Sequence, residues 1–200
     1  VIEAGDGANK VIGGAGGDEI NSGAGNDYVL GDHGTMEIDE DGLITSMVST
    51  LGALGTGDVL NVGEGDNVVI GGQGIDDIDA GSGNDVILGD SGNAQFVSGV
   101  LQRADSTDVD QGGNDRITVW GGNNTVIGGY GSDEITTGGG DDTIIGDNGS
   151  ADFTSGLVLE STDTGDGTGA GDVIEAGDGA NKVIGGAGGE IGRASCRERV

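Results

Sequence analysis

The chain has 200 residues, of which 48 are glycine, none is proline and 2% are aromatic, a usage that excludes a conventional close-packed core and, lacking proline, a collagen-like helix. Its 36 acidic residues against 7 basic ones, a formal charge of −29, make nucleic acid and anionic membrane surfaces poor partners. Such an excess of carboxylate needs either solvent or a counter-cation, and hard divalent ions with oxygen ligands are the natural candidates.

Internal repetition organises the chain. Val1 to Gly17 recurs unchanged as Val173 to Gly189, and units of 58, 57 and 57 residues begin at Val1, Val59 and Arg116, with a fourth starting at Val173. Within the first unit, GGAGGDEIN (13–21) and SGAGNDYVL (22–30) show a nine-residue period, followed by an insert at 31–52. The second unit, 59–115, repeats the pattern as GGQGIDDID (71–79) and AGSGNDVIL (80–88), with its insert at 89–109. The third, 116–172, has GGYGSDEIT (128–136), TGGGDDTII (137–145) and an insert at 146–166. The last stretch, 190–200 (EIGRASCRERV), breaks every trend and holds three of the seven basic residues and Cys196. It reads as the translation of a sequencing adapter, so it is expected not to be native and is set aside from the fold.

Aligned on the nonapeptide, two columns are informative. The eighth is always apolar: Val11, Ile20, Val29, Ile38, then Leu60, Val69, Ile78, Ile87, Phe96, then Ile117, Val126, Ile135, Ile144, Phe153. The sixth reads Asn9, Asp18, Asp27, Met36, then Asp58, Asn67, Asp76, Asp85, Ala94, then Asp115, Asn124, Asp133, Asp142, Ala151, then Asp172 and Asn181. One apolar residue in nine is too sparse for an amphipathic helix, and the β-branched neighbours favour short strands. Glycine adopts positive φ at little cost, so GGxGxD bends tightly and turns carbonyls and a carboxylate toward an ion. Turn, short strand, turn, short strand makes a coil of 18 residues with the eighth column pointing inward.

Each insert opens with GDxG and continues as two β-rich runs separated by EDG or SG, a hairpin signal. The inserts are read as hairpins leaving the coil; a wider third coil without calcium is the competing arrangement.

These blocks resemble the RTX, or hemolysin-type calcium-binding, nonapeptide GGxGxDxUx, in which U is a large aliphatic residue. The resemblance covers nearly all of residues 1–189 in interrupted blocks. It implies an all-β fold, a right-handed parallel β-roll or β-solenoid, with Ca²⁺ held by sixth-column side chains and backbone carbonyls. Carried over position by position, the expected metal ligands are Asn9, Asp18, Asp27, Asp58, Asn67, Asp76, Asp85, Asp115, Asn124, Asp133, Asp142 and Asp172. Stacking of residues one coil apart pairs Asn9 with Asp27, Asp58 with Asp76, Asn67 with Asp85, Asp115 with Asp133 and Asn124 with Asp142, for roughly five sites. Asparagine keeps an oxygen and loses a charge, so sites with Asn9, Asn67 and Asn124 are expected to be weaker. Asp18 opposite Met36 and Asp76 opposite Ala94 are expected to be empty. Trp120 stands where the pattern has a turn glycine.

Other readings fit less well. A disordered acidic tail would not keep a large aliphatic residue two positions after each Asp. The GxG pairs lack the third glycine, following helix and lysine of a nucleotide loop, and Asp39 and Asp41 do not complete an EF-hand. His33 has no second histidine with which to build a zinc site. Tyr28, Tyr130 and Trp120, at repeat edges, are expected to cover apolar gaps. No membrane-spanning apolar run is present. The chain is therefore expected to be non-enzymatic, a calcium-binding structural region of a secreted or surface-exposed, adhesin-like bacterial protein. The alternative is the C-terminal repeat region of an exoenzyme or toxin whose catalytic domain lies outside this sequence. The resemblance further implies type I secretion of an unfolded chain that folds on meeting external calcium, its one expected partner.

Overall fold

A computed structural model describes residues 1–50, 55–162, 170–189 and 191–195, and among these there is no helix. The first unit contributes β1 (Ile2–Glu3), β2 (Lys10–Ile12), β3 (Glu19–Gly23), β4 (Tyr28–Leu30), β5 (Gly34–Ile38) and β6 (Ile44–Ser49). The second repeats the set as β7 (Val59–Val62), β8 (Val68–Gly72), β9 (Asp77–Ser82), β10 (Val86–Asp90), β11 (Gly92–Val97) and β12 (Val100–Ser106). The third gives β13 (Arg116–Gly121), β14 (Thr125–Ile127), β15 (Glu134–Gly139), β16 (Thr143–Ile145), β17 (Gly149–Asp152) and β18 (Val158–Ser161). The start of the fourth adds β19 (Val173–Asp178) and β20 (Lys182–Ile184), followed by β21 (Ile191–Ser195).

Alternate strands build two parallel sheets, as expected for a β-roll. The first runs β1-β3-β7-β9-β13-β15-β19-β21 and the second β2-β4-β8-β10-β14-β16-β20. Within a unit neighbouring strands are one 18-residue coil apart, Leu60 lying beside Ile78. Across an insert the spacing is 40 or 39 residues, Ile20 lying beside Leu60 and Ile78 beside Ile117. In each short strand the middle, eighth-column side chain points between the sheets, because successive residues face opposite sides. Ile20, Val29, Leu60, Val69, Ile78 and Ile87 stack there, all fully buried.

The flanking positions differ between the sheets. In the first they are mostly polar, as with Glu19 and Asn21 or Asp77 and Asp79, with Val59 and Val173 as apolar exceptions. In the second they are mostly apolar, as with Tyr28 and Leu30, Val68 and Ile70, or Val86 and Leu88. An apolar outer face needs a cover, and the inserts provide it. β5–β6, β11–β12 and β17–β18 are antiparallel hairpins, and they join edge to edge through β6–β11 and β12–β17. The resulting six-stranded sheet, β18-β17-β12-β11-β6-β5, forms a second core in which Leu30, Ile70 and Leu88 meet Ile44, Met47 and Phe96. The wider-coil arrangement is thereby excluded. At the tip of the second hairpin Ser98 and Gly99 both have positive φ, 53° and 75°, the conformation that closes a two-residue hairpin loop.

Three expectations need correction. The nine-residue count does not continue into the inserts, because the chain leaves the roll there. Met36, Ala94 and Ala151 sit on hairpin strands, opposite Met47, Ala104 and Ala104 respectively, rather than in turns. Ile38 is exposed on β5, while Phe96 and Phe153 pack in the second core rather than between the parallel sheets. Among the aromatics, Tyr28 does cover apolar surface, its ring 5.6 Å from that of Phe96 in an edge-on contact. Trp120 does not: it is 65% exposed and its indole N–H donates to Asp79 Oδ1 at 2.8 Å.

β21 lies parallel to β19 with Gly192 opposite Ile174, so its eighth-column position offers the core no side chain. Residues 51–54 and 163–169, at the ends of the first and third inserts, and Glu190 and 196–200 with Cys196, lie outside the described residues.

Leu88 tests the third layer. In a bare roll its side chain would face water and truncation would cost little, whereas here it is 1% exposed beneath the hairpins. Leu88→Ala is expected to lower stability by about 2–5 kcal/mol, measured by denaturant unfolding in calcium, while Ile75→Ala, at an exposed turn, should change it by less than about 0.5 kcal/mol.

Candidate metal-binding turns

The turns stack into two rows, one along each edge of the roll. The row leading into the first sheet is all aspartate, and each Oδ1 accepts the backbone N–H of the aspartate one coil earlier. The bonds run Asp18 to Asp58 (2.7 Å), Asp58 to Asp76 (2.7 Å), Asp76 to Asp115 (2.8 Å), Asp115 to Asp133 (2.9 Å) and Asp133 to Asp172 (2.9 Å). In the row leading into the second sheet asparagine and aspartate alternate. There Asn9 N–H donates to Asp27 (2.8 Å), Asp27 to Asn67 (2.9 Å), Asn67 to Asp85 (3.0 Å), Asp85 to Asn124 (3.0 Å), Asn124 to Asp142 (3.0 Å) and Asp142 to Asn181 (2.9 Å).

All five pairs expected at one-coil spacing are stacked in this way. The ladder also crosses every insert, which corrects the expected partners of Asp18 and Asp76. Asp18 meets Asp58 instead of Met36, and Asp76 meets Asp115 instead of Ala94, because the hairpin is looped out and the coil resumes where it stopped.

Each carboxylate after Asp18, the first of its row, spends one oxygen on this ladder. The other, Oδ2, is buried and receives no hydrogen bond at Asp18, Asp27, Asp58, Asp76, Asp85, Asp115, Asp133 and Asp142. Burying a charged oxygen without a partner is costly, and the carboxyl groups respond. Burial, outweighing the ladder N–H, pushes Asp76 and Asp133 up to about 8 and Asp58 up to about 6. Burial raises Asp85 to about 6 against two hydrogen bonds from Asn67. Asp115 is raised by burial and then by the charges of Asp90, Asp76 and Asp133.

The turn backbone is built for close stacking. Gly72 and Gly74 both have φ of 120°, and a Cβ at Gly72 would lie 2.7 Å from the Asp32 side chain. Any larger residue there is strained twice over.

Sequence reasoning missed three aspartates in these turns. Where a hairpin departs, Asp32, Asp90 and Asp147 replace the second glycine of GGxGxD. Asp32 Oδ2 accepts the Gln73 N–H at 2.6 Å. Asp90 accepts Gly113 N–H at 2.9 Å on the returning arm and Tyr130 N–H on the next coil, and Asp147 accepts Ala187 N–H. These side chains close a turn that the insert has split. The signal was available as GDHG, GDSG and GDNG at the same place in three units. Asn181 was likewise not counted as a site residue, although it terminates the mixed row.

Among the described residues no three His, Cys, Asp or Glu side chains converge closely enough to hold a metal by themselves. An ion in these turns therefore needs backbone carbonyls as well. Hard oxygens from carboxylates and carbonyls, with buried carboxylate oxygens lacking donors, fit a calcium-like cation.

Comparison with known families agrees with this geometry. A family model for the RTX calcium-binding nonapeptide repeat, in four copies, matches residues 1–34, 58–95, 110–129, 121–150 and 160–189. The chain belongs to this family and is a calcium-binding repeat region of the RTX kind. The matched segments leave out most of the first two hairpins. Neither a curated protein nor a solved structure shows significant similarity to the chain.

The raised carboxyl groups set a pH dependence. Asp76 and Asp133 titrate near 4 when unfolded (about 3.9) and at about 8 when folded, so protons bind the folded state more tightly. Their contribution to the metal-free fold is fully present below about pH 4 and lost as pH rises through about 8. In chelator, strand signal in circular dichroism should therefore grow as pH falls from about 9 to about 5. With calcium the trend should invert, the calcium midpoint falling as pH rises, because the ion displaces protons.

Proposed function

We propose that this chain is a calcium-stiffened structural segment of a secreted or surface-exposed, adhesin-like bacterial protein, disordered at low calcium and folded outside the cell. The observation that carries this reading is the series of buried Oδ2 atoms without donors along both edges of the roll. The proposed ligands are Asp18, Asp27, Asp58, Asp76, Asp85, Asp115, Asp133, Asp142 and Asp172, together with carbonyls of their turns. Bound Ca²⁺ supplies the positive charge that these oxygens face. The chain's own part is to fix the carboxylates: the ladder N–H groups orient each Oδ1, and the glycines let successive turns approach.

A coil of glycine-rich backbone loses much conformational entropy and buries few side chains in return. A site contributes about 2.7 kcal/mol when the free ion is a hundredfold above its dissociation constant, and extracellular calcium modules bind at about 10⁻⁴ to 10⁻³ M. That range lies far above cytosolic calcium, so folding is confined to the outside. A structural role is further supported by repetition of one turn chemistry along the roll.

Titration with Ca²⁺ followed by chelation is the direct test. Above about pH 8, where the Asp76 and Asp133 carboxyl groups are charged, strand signal should appear with calcium and vanish with chelator; a fully β-structured chain in decalcified buffer of low ionic strength at that pH would sink the proposal. Asp76→Ala should raise the calcium midpoint about twofold or more. Glu40→Ala, at an exposed hairpin tip, should leave it unchanged. Asp108 is a poorer control, since its φ of 52° makes alanine there a backbone perturbation of its own.

A further inference from the structure

We propose that the asparagine turns need no ion, because the asparagine side-chain amide occupies the place that a cation takes among the turn oxygens. This rests on the reading that the aspartate turns bind calcium, and departs from the simpler expectation that asparagine is a weaker ligand.

Asparagine and aspartate have nearly the same shape, and in both rows Oδ1 does the same work, accepting the N–H of the preceding coil. The second terminal atom differs. Asn9 Nδ2, with two hydrogens to donate, lies within hydrogen-bond distance of Gly5 O at 2.7 Å, Gly7 O at 3.0 Å, Ser22 O at 2.9 Å and Asp27 Oδ1 at 3.0 Å. Asn67 Nδ2 repeats the arrangement with Gly63 O at 3.2 Å, Gly65 O at 3.0 Å and Asp85 Oδ1 at 2.9 Å. Asn124 Nδ2 reaches Gly122 O at 3.1 Å and Asp142 Oδ1 at 3.0 Å, and Asn181 Nδ2 reaches Gly177 O at 2.7 Å. An NH₂ group ringed by carbonyl and carboxylate oxygens is a neutral stand-in for a hard cation, at hydrogen-bond rather than coordination distance.

The aspartate turns of the same row show the converse. In Asp27, Asp85 and Asp142 the atom that corresponds to the asparagine Nδ2 is Oδ2, and that buried oxygen finds no donor. Their Oδ1 atoms each accept two bonds from the asparagine one coil earlier, from its backbone N–H and from its amide. Filled and unfilled turns therefore alternate along the mixed row. Each unit carries one self-closed turn, at Asn9, Asn67, Asn124 and Asn181. The row leading into the first sheet has none, so each of its six aspartate turns needs an ion, as do the turns of Asp27, Asp85 and Asp142 in the mixed row.

Calcium bound per chain, counted by equilibrium dialysis on the full 200-residue chain, together with the calcium midpoint from circular dichroism, tests this. Asn67→Asp replaces the donor with a second carboxylate oxygen. It should bind one more Ca²⁺ at saturation than the parent and need more calcium to fold. The reciprocal Asp85→Asn should bind one fewer and fold at lower calcium. Unchanged counts in both variants, in a parent that binds calcium, overturn the inference and leave the broader reading standing. So does an Asn67→Asp chain that stays unfolded at saturating calcium, since an ion-filled turn there should match the turn at Asp85. A parent that takes up no calcium overturns both.

Discussion

A buried carboxylate oxygen facing other oxygens is the constraint around which this molecule is organised. Every aspartate of the stacked rows after Asp18 gives one oxygen to the backbone of its neighbour, which fixes the vertical spacing of the coils. The remaining oxygen is thereby held in a turn from which water has been removed, at a cost that protons, cations or amide groups can relieve. A roll whose turns were closed by neutral hydrogen bonds throughout would carry no such cost.

The hairpins address a different problem. A two-sheet roll with one or two inward apolar side chains per strand, such as Ile87 from β10 and Leu60 with Val62 from β7, has a thin core. By adding apolar flanks such as Val86 and Leu88 to one sheet and covering them with hairpins, each unit gains a second layer without lengthening the coil. The cost falls on the turn that the hairpin interrupts. Asp90 offsets it by accepting hydrogen bonds from both the returning arm at Gly113 and the next coil at Tyr130. The hairpins also pair with one another, which ties successive units together on a face where no metal chemistry is involved.

Much of this was legible in the residues. The repeat period, the inward eighth column and the turn-lining sixth column follow from residue type and spacing, because a three-residue strand has one inward position and a tight turn has few. The hairpin runs around EDG and SG were visible for the same local reason. What was misread came from counting by nines past the point where the chain departs: Ile38, Met36 and Ala94 were placed in columns that they never enter. The partners of Asp18 and Asp76 were missed with them, since residues 40 or 39 apart are brought together only by a loop-out that sequence spacing does not reveal. The outward column of the second sheet, with Leu30, Ile70 and Leu88, carried a signal that went unused, because an apolar flank acquires meaning only once something is known to cover it.

Taken alone, the sequence determined the class of fold, the turn chemistry and the oxygen donors, all of which depend on interactions within a few residues. The tertiary structure decided which turns stack across the inserts, how the three hairpins join into a covering sheet, and which terminal atom of each Asp or Asn faces the turn carbonyls. The physical reason is range. Turn and strand preferences are set by neighbouring backbone sterics, while the side-chain environment of Asn67 or Asp76 is made by a coil that the chain reaches only after completing a circuit or a whole hairpin.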